Sequence, residues 1–123
     1  MTHKEAAISF LHMVVDGKIK EAYEKYIGTG FRHHNPYFKG DAASLMKGME
    51  ENHADFPHKI LEIKRAIAED DMVAVHSRLQ LTPEAPTFVS VVHIFRFEGD
   101  KVMEMWDIGQ TKVENSVNEN GAF

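Results

Sequence analysis

"VVHIFRFEGDKVMEMWDIGQ", residues 91–110, alternates apolar and polar side chains on both sides of a Glu-Gly-Asp turn. A period of two is typical of β-strands, and a short glycine-containing turn between two such stretches is typical of a hairpin. The same period holds upstream on both sides of an acidic Glu-Asp-Asp turn. The pattern therefore predicts a four-strand antiparallel meander over residues 58–70, 72–81, 87–99 and 101–110.

The residues before this meander have the spacing of helices. Apolar side chains recur every three or four residues in three segments, which predicts amphipathic helices over residues 3–15, 18–27 and 42–56. Asp41 stands where it can cap the third helix, and Pro57 blocks its continuation. Helices followed by strands indicate an α+β domain in which one curved antiparallel sheet wraps around three N-terminal helices.

Length and composition limit the classes of protein that need be considered. The chain of 123 residues suits one domain, which we place at 1–111, followed by a polar tail at 112–123 that we expect to be poorly ordered or to lie across a partner. A formal net charge of -5 gives no basic surface for nucleic acid, and no apolar run suggests a membrane span. The absence of cysteine excludes disulfides and thiolate sites, so the cytoplasm is the default location.

Several polar residues interrupt apolar faces. Strand alternation puts His76 and Arg78 on one face, and Asp107 on the face of two methionines. His93 stands in an otherwise apolar strand face, and His53 stands on the apolar stripe of the third helix. Each has a structural reading too, since Asp107 could be an ion-pair partner of Arg78 and a histidine on an apolar stripe is commonly a core residue.

The segment "RHHNP", residues 32–36, joins the second and third predicted helices. Asn-Pro favours the start of a turn. His33 and His34 point to opposite sides of an extended chain, so at most one of them faces inward.

Three stretches together resemble a known family. "YIGTGFRHHNP" is similar to its helix exit and His-Asn-Pro turn, "AEDDMVAVHSRL" to one of its strands with the preceding turn, and "VVHIFRFEGDKVMEMWDIGQ" to its last two strands. On these stretches the chain resembles the SnoaL-like branch of the nuclear-transport-factor-2-like superfamily, and within it the predicted aldol-condensation-catalysing subgroup. The resemblance implies a cone with a deep central pocket and a homodimer that pairs sheet to sheet.

The resemblance also implies positions for the site residues. It places Asp107 in the pocket, with His76, Arg78 and His34 near it and Phe10 contributed by the first helix. The chain departs from the family pattern where His93 replaces an aspartate and Met105 replaces a histidine. Asn35 and Phe10 stand where a ketosteroid isomerase has its general base and oxyanion tyrosine, and His76 and Arg78 stand where an epoxide hydrolase has arginine and aspartate, so neither of those reactions is expected.

The leading interpretation is a cofactor-independent enzyme that removes a proton next to a carbonyl group and carries out aldol or cyclisation chemistry. Its ligand would be a small hydrophobic or carbonyl compound. The expected catalytic residues are Asp107, His76 and His34, and the expected substrate-binding residues are Phe10, Asn35, His53, Arg78, His93, Phe95, Met103 and Met105. Two alternatives stay open: a non-catalytic ligand-binding or sensing protein, and a metal site built from His34, His76, His93 and Asp107.

Overall fold

The computed structural model describes all residues from 1 to 123 and contains three helices, α1 (His3–Val15), α2 (Ile19–Tyr26) and α3 (Ala42–Asp55). Thr2 and Glu5 form a capping box that satisfies the free amides at the start of α1. The Asp41 carboxylate accepts from the Ser44 amide and caps α3, as the sequence predicts. None of the helices combines the length and the apolar character needed to cross a membrane.

The predicted meander consists of β2 (Ile60–Glu69), β3 (Met72–Gln80), β4 (Val89–Glu98) and β5 (Lys101–Thr111). Consecutive strands pair antiparallel throughout. The α+β class and the curved sheet packed on helices are as predicted from the sequence. We call the sheet face that packs on the helices the inner face and the opposite one the outer face.

A fifth strand, β1 (Ile27–His33), corrects the prediction of four strands in a purely antiparallel sheet. It pairs parallel with β5, so the strand order is β1-β5-β4-β3-β2 and the sheet is mixed. Gly28 and Gly30 look like a helix stop in the sequence, but they serve a close approach within the strand. A Cβ at Gly28 would overlap the Met103 sulfur, and Gly30 has φ +87°.

A β-bulge interrupts the pairing of β4 with β5. Phe97 is opposite Val102, whereas Arg96 is opposite Glu104, so Met103 is the extra residue. Because of this bulge Val102 points to the inner face, where it is fully buried, and Met103 packs over Gly28 and Gly30 instead. Strict alternation from Asp107 back to Met103, as expected from the sequence, is therefore wrong at Met103.

The core lies between the helices and the inner face. The Phe10 ring from α1 packs edge-on against Phe95 from β4 with ring centroids 6.0 Å apart. It packs at a tilt of 54° against Tyr23 from α2, with ring centroids 5.4 Å apart. Phe95 and Phe97 are fully buried. These aromatic side chains fill the closed end of the domain, which leaves the open end near residues 35–37 for a cavity.

Candidate active site

Asp107 is the one carboxylate at the inner-face positions of the five strands, and it stands close to the end of β5. Its Oδ2 accepts a hydrogen bond of 2.8 Å from Nδ2 of Asn35, which follows β1. Asn35 holds its own turn as well, because its Oδ1 accepts from the Tyr37 amide at 3.0 Å. The parallel pairing of β1 with β5 thus places the side-chain amide of Asn35 beside the carboxylate of Asp107.

A cavity of about 290 Å³ opens beside this pair. Its walls come from the turn after β1 and from the facing ends of β4 and β5, and they are Asn35, Pro36, Tyr37, Val91, Asp107 and Gly109. Asp107 is half-buried, so its carboxylate is screened by protein on one side and reached from the cavity on the other. Small ligands bind in concave sites of this kind, where few polar groups stand among apolar ones.

His93 lies directly across the sheet from Asp107, as its pairing partner on β4. Nδ1 of the ring is shielded from solvent and has no hydrogen-bond partner. Burial lowers the pKa of the imidazole below 6.5, although the negative charge of Asp107 acts in the opposite direction. His93 is therefore a neutral imidazole near pH 7 and carries one N–H.

Tyr23 of α2 is a third group near the carboxylate, and the sequence reasoning missed it. Only 6% of the residue is exposed, and burial raises the pKa of its phenol, with a further rise from the charge of Asp107. The hydroxyl thus stays protonated well beyond neutral pH. The sequence did contain one indication of a role for Tyr23, because a tyrosine on the buried face of α2 places a polar hydroxyl inside the domain.

The site therefore combines one carboxylate with two neutral groups that can donate hydrogen bonds. A carboxylate can take a proton, and neutral donors can stabilise the negative charge that develops on a substrate oxygen. Of the site residues expected from the sequence, the structure brings Asp107, Asn35 and His93 together.

His76 and Arg78, expected beside Asp107, lie on the outer face instead. The alternate residues Val73, Val75 and Ser77 of β3 are completely buried and hold the inner face. The His76 ring contacts Arg65 and has Nε2 2.9 Å from the Ser90 hydroxyl. Burial, together with the charges of Arg65 and Lys64, lowers the pKa of His76.

His34 also points to the outer face. Its Nε2 lies 2.6 Å from Oε2 of Glu104, and its ring stacks on Trp106 with centroids 5.0 Å apart. Arg32 and Arg96 donate to the same carboxylate at 2.9 and 3.2 Å, so these hydrogen bonds hold the pKa of Glu104 at about 2. This cluster clamps β1, β4 and β5 together. His33, not His34, is the histidine that turns inward, where it is buried against the Lys39 carbonyl.

Seven of the eight expected substrate-binding residues lie outside the cavity wall, to which only Asn35 belongs. Arg78 lies on the outer face, and His93 is opposite Asp107 but does not line the cavity. Phe10, Phe95 and Met105 belong to the buried core, with exposed fractions of 2%, 0% and 6%. Met103 covers the glycines of β1, and His53 packs on Gly17 in the turn between α1 and α2. Regular alternation cannot show how far along the inner face the packed core ends and the open cavity begins.

The metal site considered as an alternative does not form. His34 and His76 lie on the outer face, whereas His93 and Asp107 lie on the inner face, so the four cannot converge on one ion. No group of three histidine or carboxylate side chains elsewhere in the chain is arranged to hold a metal.

Solved structures with the same fold come from several bacteria. A protein of unknown function from Cytophaga hutchinsonii, described as NTF2-like, superposes with a TM-score of 0.72 at 11% identity, over 89% of this chain and 91% of its own. A cystatin-fold protein from Novosphingobium aromaticivorans gives 0.71 at 21% identity, over 88% and 98%. A protein from Acidithiobacillus ferrooxidans, provisionally named a polyketide cyclase, gives 0.69 at 23% identity, over 88% and 87%.

These likenesses show the fold. No functionally curated protein matches the sequence. The family model of the SnoaL-like domain matches residues 10–105, which is most of the chain. The chain belongs to the SnoaL-like branch of the nuclear-transport-factor-2-like superfamily.

Proposed function

We propose that this protein is a cofactor-independent enzyme that removes a proton from the carbon next to a carbonyl group and so promotes isomerisation, aldol or cyclisation chemistry. The observation that carries the proposal is the inner-face carboxylate of Asp107 in a cavity wall, with neutral His93 and neutral Tyr23 within its electrostatic reach. The names of structural neighbours, among them a polyketide cyclase, are consistent with this class of reaction.

Asp107 acts as the base in this proposal. Asn35 donates to Oδ2 and fixes the carboxylate plane, while Oδ1 has no protein partner and is left for the substrate. A general base must come within hydrogen-bond distance of the proton that it takes, and a substrate in the 290 Å³ cavity would meet that requirement.

The reaction balances without a cofactor. Asp107 takes the proton, the C–H electron pair becomes the carbon–carbon double bond of an enolate, and the charge moves to the former carbonyl oxygen. The negative charge on that oxygen is stabilised by the neutral O–H of Tyr23 and the neutral N–H of His93, which lie near Asp107 but outside the cavity wall. In a β,γ-unsaturated substrate the enolate is conjugated and takes the proton back from Asp107 at the γ carbon. In a dicarbonyl substrate the enolate forms a carbon–carbon bond to the second carbonyl, whose oxygen receives the proton.

The cavity also limits the substrate. Its volume suits a small compound, and Pro36, Tyr37 and Val91 offer apolar contacts around the single carboxylate. We therefore propose a small, uncharged, largely apolar ketone or aldehyde with an acidic C–H bond.

Deuterium exchange tests the proposal without knowledge of the natural substrate. Small cyclic and aromatic ketones in D₂O are followed by NMR with the parent protein, with Asp107→Asn, and with Asp100→Asn as a control in the exposed turn between β4 and β5. The expected loss for Asp107→Asn is about 10²–10⁴-fold in exchange rate, with no change for the control. A rate for Asp107→Asn equal to that of the parent would show that Asp107 is not the base.

A second candidate is ligand binding without turnover. It is favoured by Met105, which stands where the family resemblance expects a histidine and lies in the core, so the cavity has no second base. Saturable binding of a ketone by the parent and by Asp107→Asn alike, without exchange in either, would support this candidate over the enzyme.

We also propose a homodimer that pairs through the outer face. One lateral row across four strands is wholly apolar, because Ile67 is opposite Ala74, Ala74 opposite Ile94, and Ile94 opposite Trp106. Ile67, at one end of the row, is 65% exposed. Such a row on a solvent-facing sheet is suited to a second copy, and sedimentation at rising protein concentration would detect it.

A further inference from the structure

Residues 112–123 leave the end of β5 and contain no helix or strand. Every residue from 112 to 122 is exposed, and only Phe123 is partly buried. A polar segment that buries a single aromatic ring is anchored at that ring. Removal of the apolar ring from water is favourable, whereas the exposed residues gain no free energy from burial.

The ring of Phe123 lies on the outer face among three other side chains. Its centroid is 5.3 Å from that of the His76 ring and 5.4 Å from that of Phe88, and Nζ of Lys64 is 5.2 Å from it. These contacts come from β2, β3 and the loop before β4. Lys64, His76 and Phe88 form what we call the aromatic cleft. An aromatic ring in this cleft packs against the rings of His76 and Phe88 and receives a cation–π contact from Lys64.

The rest of the segment is held loosely. Its hydrogen bonds to the rest of the domain come from Lys112, whose amide donates to the Phe88 carbonyl at 2.8 Å and whose Nζ donates to the Pro86 carbonyl at 3.4 Å, both in the loop before β4. A cavity of about 380 Å³ separates the segment from the end of the sheet, so the segment forms an arch and not a packed layer. Release of Phe123 therefore costs little else.

The aromatic cleft lies beside the apolar row of Ile67, Ala74, Ile94 and Trp106, which we call the pairing row. His76 is opposite Val92, and Val92 is opposite Ile108, one row away from Ala74, Ile94 and Trp106. A sheet that approached the outer face over the pairing row would meet the ring of Phe123 and the arch behind it.

We propose that Phe123 is an intramolecular plug for the aromatic cleft, and that a second copy pairs through the outer face only after the plug has left. This inference rests on the proposed homodimer. Both copies must release their plugs before they pair, so a plug that is seated most of the time lowers the apparent association constant by the square of the fraction of open molecules.

Phe123→Ala tests the plug, and Val117→Ala is its matched control, since Val117 is 99% exposed on the same segment. The first readout is the His76 ring signal in NMR, which the aromatic ring of Phe123 shifts. The second is the self-association constant from sedimentation. Phe123→Ala should move the His76 signal and tighten self-association about 100-fold, as expected if about nine molecules in ten are plugged and both copies must open, and Val117→Ala should do neither.

The outcomes separate the plug from the pairing. If the parent dimerises and Phe123→Ala leaves the association constant unchanged, pairing stands and the plug is refuted. If neither protein associates, both inferences are refuted. If association tightens in Phe123→Ala and is abolished by adding Ile94→Lys, both are supported.

Discussion

The protonation state of His93 decides whether Asp107 is a free base or one partner of an ion pair. Burial of the imidazole opposes protonation, whereas the facing carboxylate favours it, and burial is the larger effect. The folded-state pKa is therefore below the ordinary value of 6.5, and the unfolded chain binds a proton that the folded protein does not. Stability carried by neutral His93 is thus fully present above pH 6.5 and is lost as the pH falls from there towards the folded-state pKa.

The size of this effect has an upper limit. One unit of pKa corresponds to about 1.4 kcal/mol. If the folded imidazole stays neutral, lowering the pH from about 7.5 to about 5.5 reduces the free energy of unfolding by at most about 1.4 kcal/mol through this one group. His93→Gln keeps a polar side chain of similar size but cannot titrate, so it should lack this part of the pH dependence.

Urea unfolding of the parent and of His93→Gln at several pH values measures the difference directly, because the contributions of the other titrating groups cancel between the two proteins. The parent should lose stability relative to the variant as the pH falls. A parent that instead gains stability relative to the variant at low pH would mean that His93 is protonated and paired with Asp107. The reasoning for a free base would then be wrong.

Two further predictions concern the scaffold. Gly17→Ala should lower the free energy of unfolding by at least about 1 kcal/mol in urea titrations. Alanine disfavours the positive φ of +86° at this position, and its Cβ would overlap the His53 ring. The control Ala122→Gly, at an exposed position, should have little effect. Glu104→Gln should weaken the dependence of the free energy of unfolding on pH below 4.5. The depressed pKa of Glu104 gives stability that is present above pH 4.5 and lost as the pH falls towards about 2. An acid-unfolding profile unchanged by the substitution would contradict this.

The elements with a regular period were predictable, and the exceptions have physical causes. The helices and the four strands of the meander follow from periods of 3.6 and 2, which persist over many residues. Strand β1 was missed because its glycines, which allow Met103 to approach, have the same appearance as a helix stop. The bulge at Met103 was invisible because alternation assumes a regular ladder.

The candidate site was predictable in part. His93 and Asp107 stand out as polar residues on apolar strand faces, and β4 and β5 pair so that the two are opposite each other. The error at His76 came from choosing the wrong face of β3. Val73, Val75 and Ser77 form the more apolar alternate set, and weighing the two sets against each other would have turned His76 outward.

The parallel pairing of the first strand with the last fixes the order in which the molecule can be completed. Strands β2 to β5 join through short connections and can pair as neighbours, but β1 has no partner until β5 has formed. The hydrogen bond from Asn35 to Asp107 spans 72 positions of the chain. During synthesis the cavity is therefore among the last features to exist, and a nascent chain that lacks β5 has neither its base nor the wall that holds it.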